Sequence, residues 1–275
     1  MSETFGKYLR RWKLTLDGDP IISLGSRLLP VRIEGFPAML KVAIDTEEKL
    51  GGLLMTWWDG QGAAQVFAHE DDALLMERAE GTNSLVDMVC GGRDDEASRL
   101  ICRTVAELHA PRSTHGGCPL PDLVPLAQWF RELEPAAATH GRILADCAAM
   151  ARELLASERE AVVLHGDIHH GNILDFGSRW LAIDPKGLIG ERGFDYTNLF
   201  CNPEAEIATA PGRLARQVDV VAEAAGLDRR RLLKWIMAYA GLSAAWFLGD
   251  GEWEPAKTPL AVAELAAAEL ARTAS

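Results

Sequence analysis

The chain has no long basic run, no Cys-x-x-Cys pair and no Walker-type glycine loop, and each absence removes a class of function. Lys and Arg number 28 against 40 Asp and Glu, a formal net charge of −12. Gripping a phosphate backbone takes a concentrated basic face, so no nucleic acid is expected as a partner. The N-terminal stretch MSETFGKYLRRWKL is charged throughout and has no apolar leader, and no later segment has the uninterrupted apolar length of a membrane span. The expectation is a cytoplasmic protein without a membrane partner. Five cysteines (Cys90, Cys102, Cys118, Cys147, Cys201) are odd in number and scattered, and read as reduced, structural thiols. Gly-x-Ser-x-Gly, His-Glu-x-x-His and the dinucleotide Gly-x-Gly-x-x-Gly are also missing, which argues against a nucleophile elbow, a zinc protease and a dinucleotide fold. Neither an internal repeat nor a low-complexity tract is present.

What is there suits a soluble globular chain of 275 residues, 48% hydrophobic and 25% charged, long enough for one large or two small domains. Residues 12–43 are short apolar runs broken by turn signals, Asp17-Gly18-Asp19-Pro20, Leu24-Gly25-Ser26 and Glu34-Gly35-Phe36-Pro37, and predict antiparallel strands. Residues 28–33 and 38–43 make a hairpin across Glu34-Gly35. The second strand holds a lone lysine, Lys41; taken with that strand alone, its ordinary place is the solvated face. Asp45 then supplies an N-cap, with Glu47 and Glu48 in an acidic first turn and Leu50, Leu53, Leu54 and Trp57 at helical spacing. In a protein-kinase-like lobe this helix carries the glutamate that positions the strand lysine. Glu48 is the candidate and Glu47 its alternative; acids in a first turn also simply complement the helix dipole. Strands follow at 65–69 and 73–77, and Gly81 marks a change to longer helical patterns, placing a lobe boundary between residues 1–80 and 81–275.

In the second part Asp94 is expected to cap a helix that ends at His109-Ala110-Pro111, with His109 structural. A loop spans 111–125, and helices are predicted around 126–133, 140–157, 213–225, 228–248 and 259–272. Trp235, Tyr239 and Trp246 recur at near-helical spacing and read as core or cleft wall.

The densest chemistry lies at 162–201, VVLHGDIHHGNILDFGSRWLAIDPKGLIGERGFDYTNLFC. Phosphoryl transfer asks a protein mainly to position groups and neutralise charge: a carboxylate for the acceptor hydroxyl, oxygen ligands for magnesium, and a lysine on the phosphates. Asp167 and Asn172 stand at the offset of the kinase catalytic Asp and its magnesium-binding Asn, and Asp184 follows an apolar run where a second metal-binding carboxylate is expected. A zinc site from His165, His169 and His170 is the competing reading; it lacks a nearby Cys, and Gly166 and Gly171 oppose the helix that would align those rings. Lys41, Glu48, Asp167 with Asn172, and Asp184 occur in kinase order, and it is the set of four, more than any one motif, that points to a kinase.

HGDIHHGN at 165–172 followed by IDPKGLIGERGFD at 183–195 resembles the aminoglycoside phosphotransferases, within them the streptomycin 6-kinase and hydroxyurea-kinase branch. PAMLKVA (37–43), WWDGQGA (57–63), LLMERA (74–79), LHAPR (108–112) and GLSAAWF (241–247) carry the same resemblance over most of the chain. It implies an α+β, bilobal protein-kinase-like fold, a small antiparallel-sheet N-lobe and a larger helical C-lobe, with ATP and Mg2+ between them. The implied reaction phosphorylates the 6-hydroxyl of streptomycin, a cationic acceptor, and the implied state is a monomer or weak dimer. By position Lys41 would hold the phosphates, oriented by Glu48. The backbone of Glu77 and Ala79 would meet adenine, with Met76 behind it. Asp167 would be the base, Asn172 and Asp184 the metal ligands, and His165 and Asp195 structural supports. Two departures stand out. Asp-Phe-Gly is replaced by Asp184-Pro185-Lys186 with no long activation segment, which argues against control by loop phosphorylation. Gly171 stands where relatives often carry Glu, which could lower activity. Since carboxylates bind guanidinium groups bidentately, the acidic loop Asp250, Glu252 and Glu254 is expected, with Trp246, to border the acceptor. The alternatives are a housekeeping sugar or polyol kinase, or a catalytically silent nucleotide-binding module.

Overall fold

A computed structural model describes residues 3–112 and 118–273. Its N-terminal part runs α1 (Glu3–Arg11), β1 (Thr15–Leu16), β2 (Ile21–Ile22), β3 (Ser26–Ile33), β4 (Phe36–Ala43), α2 (Thr46–Trp58), β5 (Val66–Glu70) and β6 (Ala73–Glu77). The strands form one antiparallel sheet in the order β1-β3-β4-β6-β5, with β2 added beside β3. The β3–β4 hairpin keeps full register, Ser26 opposite Ala43 and Ile33 opposite Phe36. Because strand side chains alternate, Leu29, Val31, Ala38, Leu40, Ala73 and Leu75 share one buried face. Phe5 and Tyr8 of α1 close over that face. This helix is not among the expected elements, although Phe5, Tyr8, Leu9 and Trp12 have helical spacing; the charges between them hid it.

The C-terminal part comprises α3 (Leu85–Cys90), α4 (Asp94–Leu108), β7 (Val124–Pro125), α5 (Leu126–Trp129), α6 (Leu133–Thr139), α7 (Arg142–Ala156), β8 (Ala161–Leu164), β9 (Ile173–Asp175), β10 (Trp180–Ala182), β11 (Leu188–Glu191), α8 (Ala205–Ala208), α9 (Arg213–Ala225), α10 (Arg229–Gly249) and α11 (Trp253–Arg272). β9 and β10 form a hairpin, and β11 lies between β7 and β8. Within the expected loop, residues 113–117 lie outside the described residues.

Three expectations are corrected here. Asp94 does not cap α4: it is buried and accepts from the Arg213 guanidinium at 2.8 and 3.2 Å, tying α4 to α9. The helix expected over 126–133 is broken by a 3-10 turn (Phe130–Glu132), and Pro135, which has no N–H to donate back to that turn, sits in the first turn of α6. By length and composition α10 could cross a membrane; 67% of that apolar window is buried in the protein, against α7 and α11, which makes it the core helix of this part.

The main core is continuous between the two parts: Leu54, Met55 and Trp58 of α2 and Met76 of β6 join Ile101, Leu164 and Ile173. The segment after α2 reinforces this, since Ala64 N–H donates to Ala182 O at 3.0 Å and Ala182 N–H to Gly62 O at 2.9 Å. Arg112 straps the same turn through the carbonyls of Trp58 and Gln61. α2 is thereby held against the hairpin that leads to Asp184.

Candidate active site

β8 delivers the chain to His165, which is fully buried. Its Nε2 lies 2.8 Å from the Ile183 carbonyl and its Nδ1 accepts from Asp167 N–H at 3.2 Å, a neutral tautomer assigned from those bonds. Burial pushes its pKa down, in keeping with that form. Asp195, from the 3-10 turn after β11, accepts from the N–H groups of His165 (2.9 Å) and Gly166 (2.7 Å) and meets His109 Nε2 at 2.8 Å. The loop that presents Asp167 is thus fixed by a buried carboxylate and a buried imidazole. The Asp167 carboxylate is held by two amides, accepting from Asn198 Nδ2 at 2.7 Å and Asn172 Nδ2 at 3.1 Å. Burial raises its pKa above the usual Asp value, against the opposing charges of His169 and Lys186.

His165, His169 and His170 do not share a helix face, since the segment holding them is a turn, and no group of three or more metal-ligating side chains occurs among the described residues. His170 is buried with neither ring nitrogen bonded, and burial, with Arg213 nearby, lowers its pKa to about 4. Gly171 leaves room for His169: its N–H donates to His169 Nδ1 at 3.1 Å, and a Cβ there would come within 3.0 Å of that ring.

The second carboxylate stands on the turn after β10. Asp184 has φ +66°, an uncommon conformation for a residue with a side chain. Lys41 does not face solvent as its strand alone suggested: β4 sets it opposite Leu28 and Leu74 on the face turned away from α1, where it is 8% exposed. Its ammonium bridges Glu48 and Asp184. Glu47 reaches a different lysine, Lys186, at 2.8 Å. Asp45 organises both acids by capping α2, accepting from Glu48 N–H at 2.9 Å. Burial pushes the Asp184 pKa up, but Lys41 and Lys186 outweigh it and hold the carboxyl below its ordinary range. For Glu48 burial prevails over Lys41 and the pKa is raised. α2 approaches the Asp184 turn so closely that a Cβ on Gly51 would sit 2.4 Å from the Pro185 carbonyl, so only glycine fits.

Lys41, Glu48, Asp167, Asn172 and Asp184 therefore meet around one cleft. A cavity of about 1140 Å³ opens on Asp167 and is walled by Trp129, Glu132, Tyr239, Trp246 and Asp250. A second, of about 600 Å³, shares Asp167, Tyr239, Trp246 and Asp250 and adds Asn198 and Glu252. Glu254 lines neither and is paired with Lys257 at 2.6 Å. Asn198, Trp129 and Glu132 are not among the expected site residues, whereas Tyr239, expected as core or cleft wall, lines both cavities. Tyr239 and Trp246 are seven apart on α10 and hence share a face, the spacing that marked both as core or cleft wall. Met76 is buried at the end of β6, and Glu77 spends its N–H on the Gln65 carbonyl at 2.8 Å.

The donor set fits magnesium. Asn172 commits its amide nitrogen to Asp167, leaving its Oδ1, and Asp184 supplies an ionised carboxylate. Two hard oxygens of this kind match a cation that takes its other ligands from water and phosphate.

A lysine paired with a helix glutamate beside an Asp–Asn loop, with a helix-walled cavity opening on that loop, defines a protein-kinase-like phosphotransferase fold. A thermostable mutant of the aminoglycoside phosphotransferase APH(4)-Ia, solved in ternary complex with ADP and hygromycin B, has that fold: TM-score 0.63 over 96% of this chain and 98% of that one, at 12% identity. The chain belongs to the aminoglycoside/hydroxyurea antibiotic resistance kinase family, whose pattern matches residues 11–251. It is 53% identical over 249 residues to a streptomycin 3''-kinase of Klebsiella pneumoniae, covering 88% of this chain and 92% of that protein. To a streptomycin 6-kinase of Streptomyces griseus it is 31% identical over 269 residues, covering 92% and 85%.

Proposed function

We propose that this protein is an ATP-dependent kinase that phosphorylates a hydroxyl of streptomycin. The observation that carries the reading is the large cavity that opens on Asp167 and reaches Lys186 and Glu47 beside the Lys41–Glu48–Asp184 cluster. It gives an acceptor access to the Asp167 carboxylate, while a triphosphate would lie on Lys41 next to Asp184. The 53% identity to a streptomycin 3''-kinase, against 31% to a 6-kinase, supports the 3''-hydroxyl over the 6-hydroxyl that the family resemblance implied.

In this reading Asp167 accepts the proton of the attacking hydroxyl, since two amide donors aim its oxygens and leave no lysine on them. Lys41, steadied by Glu48, neutralises the nucleotide phosphates. Asn172 and Asp184 hold magnesium, which when bound neutralises developing charge on the phosphoryl oxygens. Because the Glu77 N–H is already spent, an adenine contact there falls to its carbonyl, with Ala79 N–H and Met76 completing the pocket. Trp246, Asp250 and Glu252 border the cationic acceptor, Asp250 and Glu252 facing its guanidinium groups.

The test is to incubate the purified protein with MgATP and streptomycin and to locate the phosphate by two-dimensional NMR. The expected product is the 3''-phosphate. A 6-phosphate would refute the regiochemistry, and no transfer to any aminoglycoside would refute the reading.

A further inference from the structure

Lys186 is a cation to which the roles above give no task. Its backbone N–H donates to the His165 carbonyl at 2.7 Å, so the Asp167 loop and the Asp184 turn fix its place together. The side chain is only 20% exposed and lines the large cavity beside Gly166, Asp167 and Glu47. Its ammonium rests on Glu47 at 2.8 Å, with Glu48 3.8 Å away, and its charge acts on Asp167 and Asp184 alike. An ammonium at this point repels a guanidinium-bearing acceptor, so its charge is useful only to an anion. The group that passes between Asp184 and Asp167 in a kinase is such an anion. Glu47, 42% exposed, leaves the ammonium free to be shared with a second anion entering from the cavity.

We propose that Lys186 is a catalytic residue that shares its ammonium between Glu47 and the transferring γ-phosphoryl group. The inference rests on the kinase reading. As the bond from the acceptor oxygen to phosphorus forms, the bond from phosphorus to the β–γ bridging oxygen breaks. The hydroxyl proton goes to Asp167, the electron pair leaves with ADP, and Lys186 keeps its proton throughout. α2 then serves two lysines from adjacent residues: Glu48 holds Lys41, the cation for bound nucleotide, and Glu47 holds Lys186, the cation for the group in flight.

Lys186→Met, Lys186→Arg and Glu47→Gln in the full chain separate this from an ion pair that only braces the fold. In Lys186→Met, kcat falls by about 10²–10³-fold, the scale for losing one preorganised charge contact to a transition state, while the acceptor KM does not rise, since a charge that repels the acceptor is gone. Its affinity for MgAMP-PNP drops by about tenfold relative to MgADP, because only the former carries a γ-phosphoryl group. Lys186→Arg recovers part of both, and Glu47→Gln, which keeps the ammonium, loses far less than Lys186→Met. Equal losses in Lys186→Met and Glu47→Gln with a shared fall in melting temperature, or unchanged discrimination between AMP-PNP and ADP, would overturn the proposal. Should the wild-type chain transfer nothing to streptomycin, the acceptor reading fails, and the AMP-PNP and ADP affinities still decide Lys186. Should Lys186→Met not fold, Lys186→Arg against Glu47→Gln decides it by the same two readouts.

Discussion

The loop carrying Asp167 and the turn carrying Asp184 face one cleft, yet they surround their carboxylates with opposite chemistry. Asp167 is half-buried among amides: Asn172 and Asn198 each donate to one oxygen, and desolvation raises its pKa. Asp184 is set between lysines, Lys41 in direct contact and Lys186 nearby, and its pKa is lowered despite burial. A carboxylate reluctant to ionise is suited to receive a proton, and one kept charged is suited to hold a cation. The division is made by backbone placement, since both residues are aspartates and either could do the other's work in the other's surroundings.

Substitutions can break that comparison, and the largest effect is expected at the charged member. Asp184→Ala lowers turnover by about 10⁴-fold, on the scale of losing a charge clamp in phosphoryl transfer, and weakens MgATP binding in calorimetry. Asp167→Ala lowers kcat by about 10³-fold with nucleotide affinity retained, because only proton transfer is lost. Asn198→Ala sharpens the distinction. A base works only when ionised, so activity is lost as pH falls through the raised pKa of Asp167. Asn198 donates to the ionised form, and removing it raises that pKa further. The acid limb of the kcat/KM profile then moves to higher pH, and kcat falls by about tenfold, the worth of one hydrogen bond to a charged group. Asp250→Lys raises the streptomycin KM by about tenfold at low salt, whereas Glu254→Lys, already paired with Lys257, leaves it near wild type. The smallest effect is on stability: Gly51→Ala, forced against the Pro185 carbonyl, costs about 1–3 kcal/mol in denaturant melts.

Local signals carried much of the fold. Glu34-Gly35 marked the β3–β4 turn and Asp45 the start of α2, because turns and caps are written in adjacent residues. Asp94 misled, since an acid at a helix start can be drawn inward by a partner 119 residues away. The same distinction holds at the cleft. Asp167, Asn172 and Asp184 stood out by spacing alone. Asn198, 31 residues beyond Asp167, has no spacing that ties it there and emerges only when the 3-10 turns fold back. Glu47 and Glu48 looked like rivals for Lys41 because sequence cannot show a second lysine arriving from residue 186. The cavity walls on α5, α6 and α10 are brought together by packing, and Trp129, Glu132 and Tyr239 among them lie in none of the motifs.

The division between the two carboxylates is tested most directly by titrating Mn2+, standing in for magnesium, into Asp167→Asn and Asp184→Asn in the presence of AMP-PNP, with bound metal read by electron paramagnetic resonance. The predicted result is near-normal metal–nucleotide binding in Asp167→Asn and its loss in Asp184→Asn. Equal loss in both variants, or loss in Asp167→Asn alone, would contradict the account.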